Sequence, residues 1–147
     1  LSLKPTRLRR AGCPIYYKHM PIIEDNVKAY MVDFLLSKGY FSVGAKMGTR
    51  QGYDVEGTHP ISRKRLVIEC KGEARTGSQH ARSWDNVASA ILTSLNESYK
   101  SANTNDVGIA LPDTAEYKAR MELLKPFFKK ENIAVFWVSE HGTVEQW

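Results

Sequence analysis

The sequence predicts an α/β domain in which a mixed β-sheet is flanked by helices, with its elements in the order α-β-β-β-α-β-α-β. A helical pattern at residues 22–38 is followed by three short strand patterns, and buried strands then alternate with helices. Strands separated by helices usually pair in parallel through right-handed crossovers. With 147 residues and 42% hydrophobic content, the chain is long enough for one domain with a sizeable core.

Periodicity identifies the first helix and the three strands after it. Residues 22–38 carry an apolar stripe that ends at Gly39. The stripe comprises Val27, Met31, Phe34 and Leu35. Strands are expected at residues 40–46, 53–58 and 65–71, and the polar turns between them predict an antiparallel meander.

The second half of the chain alternates helices with apolar strands. A second helix is expected at residues 84–100, capped by Ser83 and packed on the sheet through one apolar face. That face comprises Trp84, Ala88, Ile91, Leu92, Leu95 and Tyr99. Buried strands are expected at residues 107–111 and 133–138, with a third helix around Pro126 between them. A short final strand ends at Trp147.

The net charge of +5 lies entirely in residues 1–21, which hold five basic residues and no acid. These residues are Lys4, Arg7, Arg9, Arg10 and Lys18. We therefore divide the chain into a basic N-terminal arm, residues 1–21, and a single domain, residues 22–147. Such an arm can neutralise phosphates along a nucleic acid, which makes Arg9 and Arg10 candidate contacts. A solvated tail is the alternative.

The composition argues against a membrane protein and against a cysteine-based site. No apolar run approaches the roughly 20 residues needed to cross a bilayer, and no signal-peptide pattern opens the chain. Cys13 and Cys70 show neither metal-ligand spacing nor a disulfide framework. We therefore expect a soluble cytoplasmic protein without a zinc site.

Two carboxylates and one ammonium group are predicted on neighbouring strands. In the run of residues 66–71 side chains alternate between faces, so Glu69 and Lys71 point one way and Cys70 faces the core. Asp54 and Glu69 are suitable ligands for Mg²⁺, which prefers oxygen. Such an ion polarises a phosphoryl oxygen and activates a bound water. Lys71 can orient that water or balance the charge of the phosphate.

This pattern resembles the PD-(D/E)XK, or restriction-endonuclease-like, nuclease superfamily. The matching residues are Asp54 and the run Glu69-Cys70-Lys71, preceded by a helix that carries Glu24. Tyr53 stands where the family motif has proline. The resemblance implies that Asp54 and Glu69 bind the metal, that Lys71 assists water attack and that Glu24 completes the site. An acid in a first helical turn is also favoured by the helix dipole alone, and Asp25 is the alternative to Glu24, so that role remains open.

The resemblance implies a divalent-metal-dependent endonuclease that hydrolyses phosphodiester bonds in DNA. The expected ion is Mg²⁺, with Mn²⁺ as a substitute, and a small single-domain member is expected to act as a homodimer. The preference for DNA comes from the resemblance and not from individual residues. Sequence specificity is not predicted, because no base-reading side chain can be assigned.

A polar loop at residues 72–82 leaves the strand that carries Glu69 and Lys71, so it is expected beside the active face. Its candidate substrate contacts are Glu73, Arg75, Gln79, His80 and Arg82. Arg75 and Arg82 suit phosphate in particular.

Three other interpretations of these residues remain. The acids and the lysine are also typical of a solvated ion-pair network on an exposed sheet face. A catalytically silent nucleic-acid-binding module would keep the fold and the arm without metal dependence. An RNA-processing endonuclease would cleave RNA, and we rank it below DNA because no base-stacking platform is predicted.

Overall fold

The computed structural model describes residues 19–48, 52–102 and 104–147. The predicted basic arm therefore lies outside the described residues up to position 18, and so do the candidate contacts Arg9 and Arg10. Among the described residues, no helix is both long enough and apolar enough to span a bilayer.

The chain forms five α-helices or helical turns and six strands in the described parts. In chain order these are α1 (Glu24–Ser37), β1 (Phe41–Ala45), β2 (Val55–Thr58), β3 (Arg65–Cys70), α2 (Gln79–Lys100), β4 (Asp106–Pro112), α3 (Ala115–Met121), a 3-10 turn (Glu122–Leu124), α4 (Lys125–Lys130), β5 (Ile133–Val138) and β6 (Val144–Gln146). The predicted mixed α/β class is confirmed.

The six strands form one mixed sheet in the order β1-β2-β3-β4-β5-β6. The first three strands are an antiparallel meander, as the short polar turns predict. β3, β4 and β5 pair in parallel, since helices connect them, and β6 returns antiparallel to β5. The parallel strands thus form the middle of the sheet.

Helices cover both faces of the sheet, and each face has its own hydrophobic core. The core under α1 includes Val27, Met31, Leu35, Val55, Ile68, Cys70, Ala110 and Phe136. The core under α2, α3 and α4 includes Val87, Ala90, Ile109, Leu111, Tyr117, Met121, Val135 and Trp137. Alternate residues of each central strand enter opposite cores, and this alternation orients the polar side chains at the strand ends.

The helix α2 differs from its prediction in both its start and its buried face. It begins at Gln79, and the side chain of Ser78, rather than Ser83, accepts the capping hydrogen bond. Its buried residues are Ser83, Val87, Ala90, Ser94 and Glu97. Ile91 and Leu95 pack against the core as predicted, but Trp84, Leu92 and Tyr99 are exposed, so that part of the predicted apolar face was wrong. Small inward side chains let the helix lie close to the sheet, which the large residues would prevent.

The predicted third helix is broken into α3, a 3-10 turn and α4. Thr114 caps α3 by accepting a hydrogen bond from the Tyr117 amide. Pro126 lies in the first turn of α4. Proline has no amide hydrogen and clashes with the carbonyl four residues earlier, so one continuous helix cannot pass through Glu122.

Candidate functional site

Asp54 and Glu69 meet at the edge between β2 and β3. Val55 pairs with Ile68, so the residues one step further along, Asp54 and Glu69, are neighbours across the two strands. The Asp54 side chain is largely buried, and its Oδ2 accepts a hydrogen bond from the Cys70 amide at 2.7 Å. This bond fixes the Asp54 carboxylate beside the end of β3.

Glu69 and Lys71 form an ion pair on the same face of the chain. The Lys71 Nζ lies 2.7 Å from Glu69 Oε1, and both side chains are mostly buried. Burial raises the pKa of Glu69; the hydrogen bond from Lys71 opposes this, and the charges of Asp54 and Glu24 add to it. The charges of Asp54 and Glu24 therefore act on Glu69.

A second lysine, Lys28 of α1, lies inside this group of carboxylates. Its Nζ is 3.0 Å from Glu24 Oε1 and 3.2 Å from Asp54 Oδ1, and it donates to the Lys46 carbonyl at 2.9 Å. Only 1% of Lys28 is exposed. Burial alone lowers the pKa of Lys28, but Glu24 and Asp54 together raise it above its usual value, so the group is an ammonium ion.

The sequence interpretation missed Lys28, although a signal was present. Lys28 lies three residues before Met31 and four after Glu24, so it is part of the inward stripe of α1. A lysine within such a stripe needs a buried acidic partner. Asp54 is that partner, and Glu24 is the second.

Gly72 allows the first turn of α1 to approach the end of β3. A Cβ atom at Gly72 would lie 2.6 Å from the carbonyl carbon of Ile23 and closer still to the amide nitrogen of Glu24. The Gly72 carbonyl also accepts hydrogen bonds from Asn86 at 2.9 Å and from Tyr117 at 2.6 Å. Three helices are thus anchored at one glycine, and Glu24 is held at the site.

Replacing Gly72 with alanine is expected to destabilise the fold by about 1–3 kcal/mol, because backbone atoms of α1 must move to admit the methyl group. Chemical denaturation measures the loss. Gly44→Ala is the matched control, since no atom lies within 4 Å of a Cβ added at Gly44. Equal stability of Gly72→Ala and wild type would show that α1 is not held tightly there.

The Glu73 carboxylate is bonded to the backbone of the protein rather than free. Its Oε2 accepts a hydrogen bond from the Ile22 amide at 2.7 Å, and its own amide donates to the Ile22 carbonyl at 2.8 Å. These bonds tie the loop after β3 to the segment before α1. The acid Glu56 is also engaged, since it forms an ion pair with Arg65 across β2 and β3.

A polar cavity of about 760 Å³ opens beside these side chains. Residues from the start of α1, the end of β3, the following loop and the start of α2 line it. They include Glu24, Lys71, Gly72, Arg75, Arg82 and Asn86. Arg75 and Arg82 therefore share one cavity with Lys71, and the acids Glu24, Asp25, Glu73 and Asp85 line it as well.

Two other predicted substrate contacts, Gln79 and His80, are not among the residues that line the cavity. The Gln79 amide bonds to the backbone of Ala74, accepting from its amide at 2.9 Å and donating to its carbonyl at 2.7 Å. His80 lies beside Arg120 of α3. Gln79 thus shapes the loop that carries Arg75.

The donor set is suited to a hard divalent cation, although lysines neutralise it here. Among the described residues, no three His, Cys, Asp or Glu side chains stand together as a ready metal site. Asp54 and Glu69 nevertheless offer carboxylate oxygens, the ligands that Mg²⁺ prefers. Burial, and to a lesser degree the negative charges of Asp54 and Glu24, raise the pKa of Glu69, and a bound cation would offset the repulsion between these charges.

A thiol nucleophile is a poor alternative at this site. Cys70 is fully buried under α1, as its place in the strand alternation predicts. Burial raises the pKa of the Cys70 thiol well above its usual range, so the thiol stays protonated. The site therefore offers carboxylates and lysines rather than a reactive thiol.

Comparison with models of known protein families, with curated proteins and with solved structures found no match for this chain. No likeness to a known protein assigns the chain to a family.

Proposed function

We propose that the chain is a divalent-metal-dependent endonuclease with a restriction-endonuclease-like fold, which hydrolyses phosphodiester bonds in DNA. The observation that supports this most strongly is the position of Asp54 beside Glu69, whose partner Lys71 lines a cavity together with Arg75 and Arg82. Carboxylates, an ammonium group and guanidinium groups are the side chains that metal-assisted phosphodiester cleavage uses.

Asp54 and Glu69 would hold Mg²⁺, or Mn²⁺ in its place. When bound, the ion supplies a Lewis acid for the phosphoryl oxygen and lowers the pKa of a coordinated water. The Cys70 amide keeps Asp54 oriented. Lys71, which lines the cavity, holds a water or a phosphate oxygen next to Glu69. Glu24 is the third carboxylate, and in this structure it bonds to Lys28.

Arg75 and Arg82 would hold the phosphate backbone of the substrate. Replacing both with alanine is expected to weaken DNA binding roughly tenfold near physiological salt and to lower the slope of log K against log salt by about 2, because each arginine neutralises about one phosphate. Fluorescence anisotropy across a salt series measures both quantities.

The matched control for these arginines is Lys100→Ala, because Lys100 is an exposed base at the far end of α2. This substitution lowers the net charge of the chain without changing the cavity. The slope of log K against log salt is therefore expected to change little. A double arginine variant with the same slope as wild type would show that the cavity does not bind phosphate.

A second candidate function is a catalytically silent nucleic-acid-binding module. The observation that favours it is the pairing of the carboxylates with ammonium groups, Asp54 and Glu24 with Lys28 and Glu69 with Lys71. Such a module would bind nucleic acid in a salt-dependent way with or without a metal. Cleavage in Mg²⁺ that stops in EDTA distinguishes the enzyme from the module.

The substrate is tested by offering duplex DNA, single-stranded DNA and RNA of one sequence together with Mg²⁺. Trp84, predicted to be buried, exposes its indole, with the Arg120 guanidinium 5.2 Å from the ring centre. Exposed aromatic rings stack on unpaired bases, so single strands belong in the comparison. Preferential cleavage of DNA supports the proposal, whereas preferential cleavage of RNA would replace DNA with RNA as the substrate.

A further inference from the structure

The ammonium group of Lys28 is saturated by three oxygen atoms. Glu24 Oε1, Asp54 Oδ1 and the Lys46 carbonyl oxygen lie 2.9–3.2 Å from its Nζ. An ammonium group has three N–H donors, so each donor has an acceptor. The side chain is 1% exposed, which leaves no room for it to sample solvent in this arrangement.

Lys28 fills the space where the carboxylates of α1 and the sheet face each other. Asp54 Oδ2 bonds to the Cys70 amide, and Asp54 Oδ1 faces Lys28. Glu24 pairs with Lys28, and 42% of its side chain is exposed. A divalent ion placed between Asp54 and Glu24 would therefore meet a positive charge already bound to both.

We propose that Lys28 is a built-in monovalent cation that takes the place of a second metal ion between Asp54 and Glu24. This inference rests on the proposed function. The site then binds one divalent ion through Asp54 and Glu69, and Lys28 contributes the second positive charge. Two-metal nuclease sites place their ions about 3.5–4 Å apart, and here the Lys28 ammonium lies 3.2 Å from Asp54 Oδ1, where it would supply the second charge. Glu24 is then a positioning residue for Lys28 rather than a metal ligand.

The number of Mn²⁺ ions bound per chain tests this role without any measurement of cleavage. Isothermal titration calorimetry and the electron paramagnetic resonance signal of free Mn²⁺ both report the stoichiometry. Wild type is expected to bind one ion. Lys28→Met keeps the aliphatic stem and frees Asp54 and Glu24, so a folded variant is expected to bind two. Adding Glu24→Gln to Lys28→Met is expected to restore one.

A milder variant covers the case in which Lys28→Met does not fold. Glu24→Gln removes the charge of a partly exposed side chain that bonds to Lys28, so the variant is expected to keep one Mn²⁺ ion per chain while its Mn²⁺ affinity falls by about 100-fold at most, as for other outer-shell partners of metal ligands. Two ions in wild type, one ion in folded Lys28→Met, or two ions in Glu24→Gln would overturn the role of Lys28. No Mn²⁺ binding by wild type or Lys28→Met would instead contradict the proposed metal-dependent function, and this proposal with it.

Discussion

Replacing Asp54 with asparagine is expected to slow metal-dependent DNA cleavage by about 10³-fold, equivalent to about 4 kcal/mol of transition-state stabilisation. Asparagine keeps the shape of the side chain and an oxygen that can accept from the Cys70 amide. It removes the charge that a divalent cation needs. Single-turnover cleavage of a labelled duplex measures the rate, and circular dichroism verifies the fold.

Glu56→Gln is the matched control for this variant. Glu56 lies two residues after Asp54 and pairs with Arg65. The same loss of charge there is expected to leave the cleavage rate within about threefold of wild type, as for other surface ion pairs of small energy. Equal rates in Asp54→Asn and Glu56→Gln would show that Asp54 is not a metal ligand.

Replacing Lys71 with methionine is expected to slow cleavage by about 10²- to 10³-fold while DNA binding falls much less, because the ammonium group acts on the developing charge at the phosphate. Lys71 is bonded to Glu69 and lines the cavity that holds Arg75 and Arg82. Cleavage kinetics and anisotropy separate the two effects.

The same variant is expected to move metal binding to higher pH. Burial raises the pKa of Glu69, and the hydrogen bond from Lys71 works against that rise. Without Lys71 the pKa of Glu69 rises further, so the carboxylate ionises and takes a cation only at a higher pH. The midpoint of Mn²⁺ binding against pH should increase in Lys71→Met. A downward shift would contradict this coupling.

Lys64→Met serves as the control for Lys71. Lys64 immediately precedes β3 and pairs with Asp106 in an exposed position. Its removal takes away one positive charge at the opposite end of the same strand. Both the cleavage rate and the pH midpoint are expected to stay close to wild type.

The strands and their pairing were predictable because local patterns determine them. The alternation in residues 65–71 places Cys70 in the core and Glu69 on the other face, and the short turns before and after β2 require antiparallel neighbours. The proximity of Asp54 to Glu69 follows from that pairing. The proximity of these two carboxylates could therefore be inferred from the sequence alone.

The start and the face of α2 were not predictable from periodicity. Residues 79–83 carry no apolar stripe, so the first turn of α2 resembled loop sequence. The inward face uses Ser83, Ala90 and Ser94, whereas the larger apolar residues Trp84 and Leu92 point outward. The distance between α2 and the sheet determines which side chains face inward. A hydrophobicity pattern carries no information about that distance.

The role of Lys28 and the contact at Gly72 depend on tertiary structure. Lys28 is buried because Asp54, 26 positions later in the sequence, meets it from the sheet. Gly72 is needed because the first turn of α1 passes directly over it. The contact at Gly72 leaves no local pattern in the chain. A lysine in an apolar stripe signals that a buried partner exists, but it does not identify that partner.

Metal-dependent cleavage of DNA by Asp54, Glu69 and Lys71 is tested most directly by incubating supercoiled plasmid with the purified chain in Mg²⁺, in Mn²⁺ and in EDTA. Wild type, Glu56→Gln and Lys64→Met are expected to nick the plasmid only with a divalent ion, and Asp54→Asn and Lys71→Met are expected to leave it intact. If wild type binds DNA in a salt-dependent way and none of these proteins nicks the plasmid, the result would contradict the nuclease function and support the binding module. Nicking that persists in EDTA, or in both site variants, would show that Asp54, Glu69 and Lys71 are not the catalytic group.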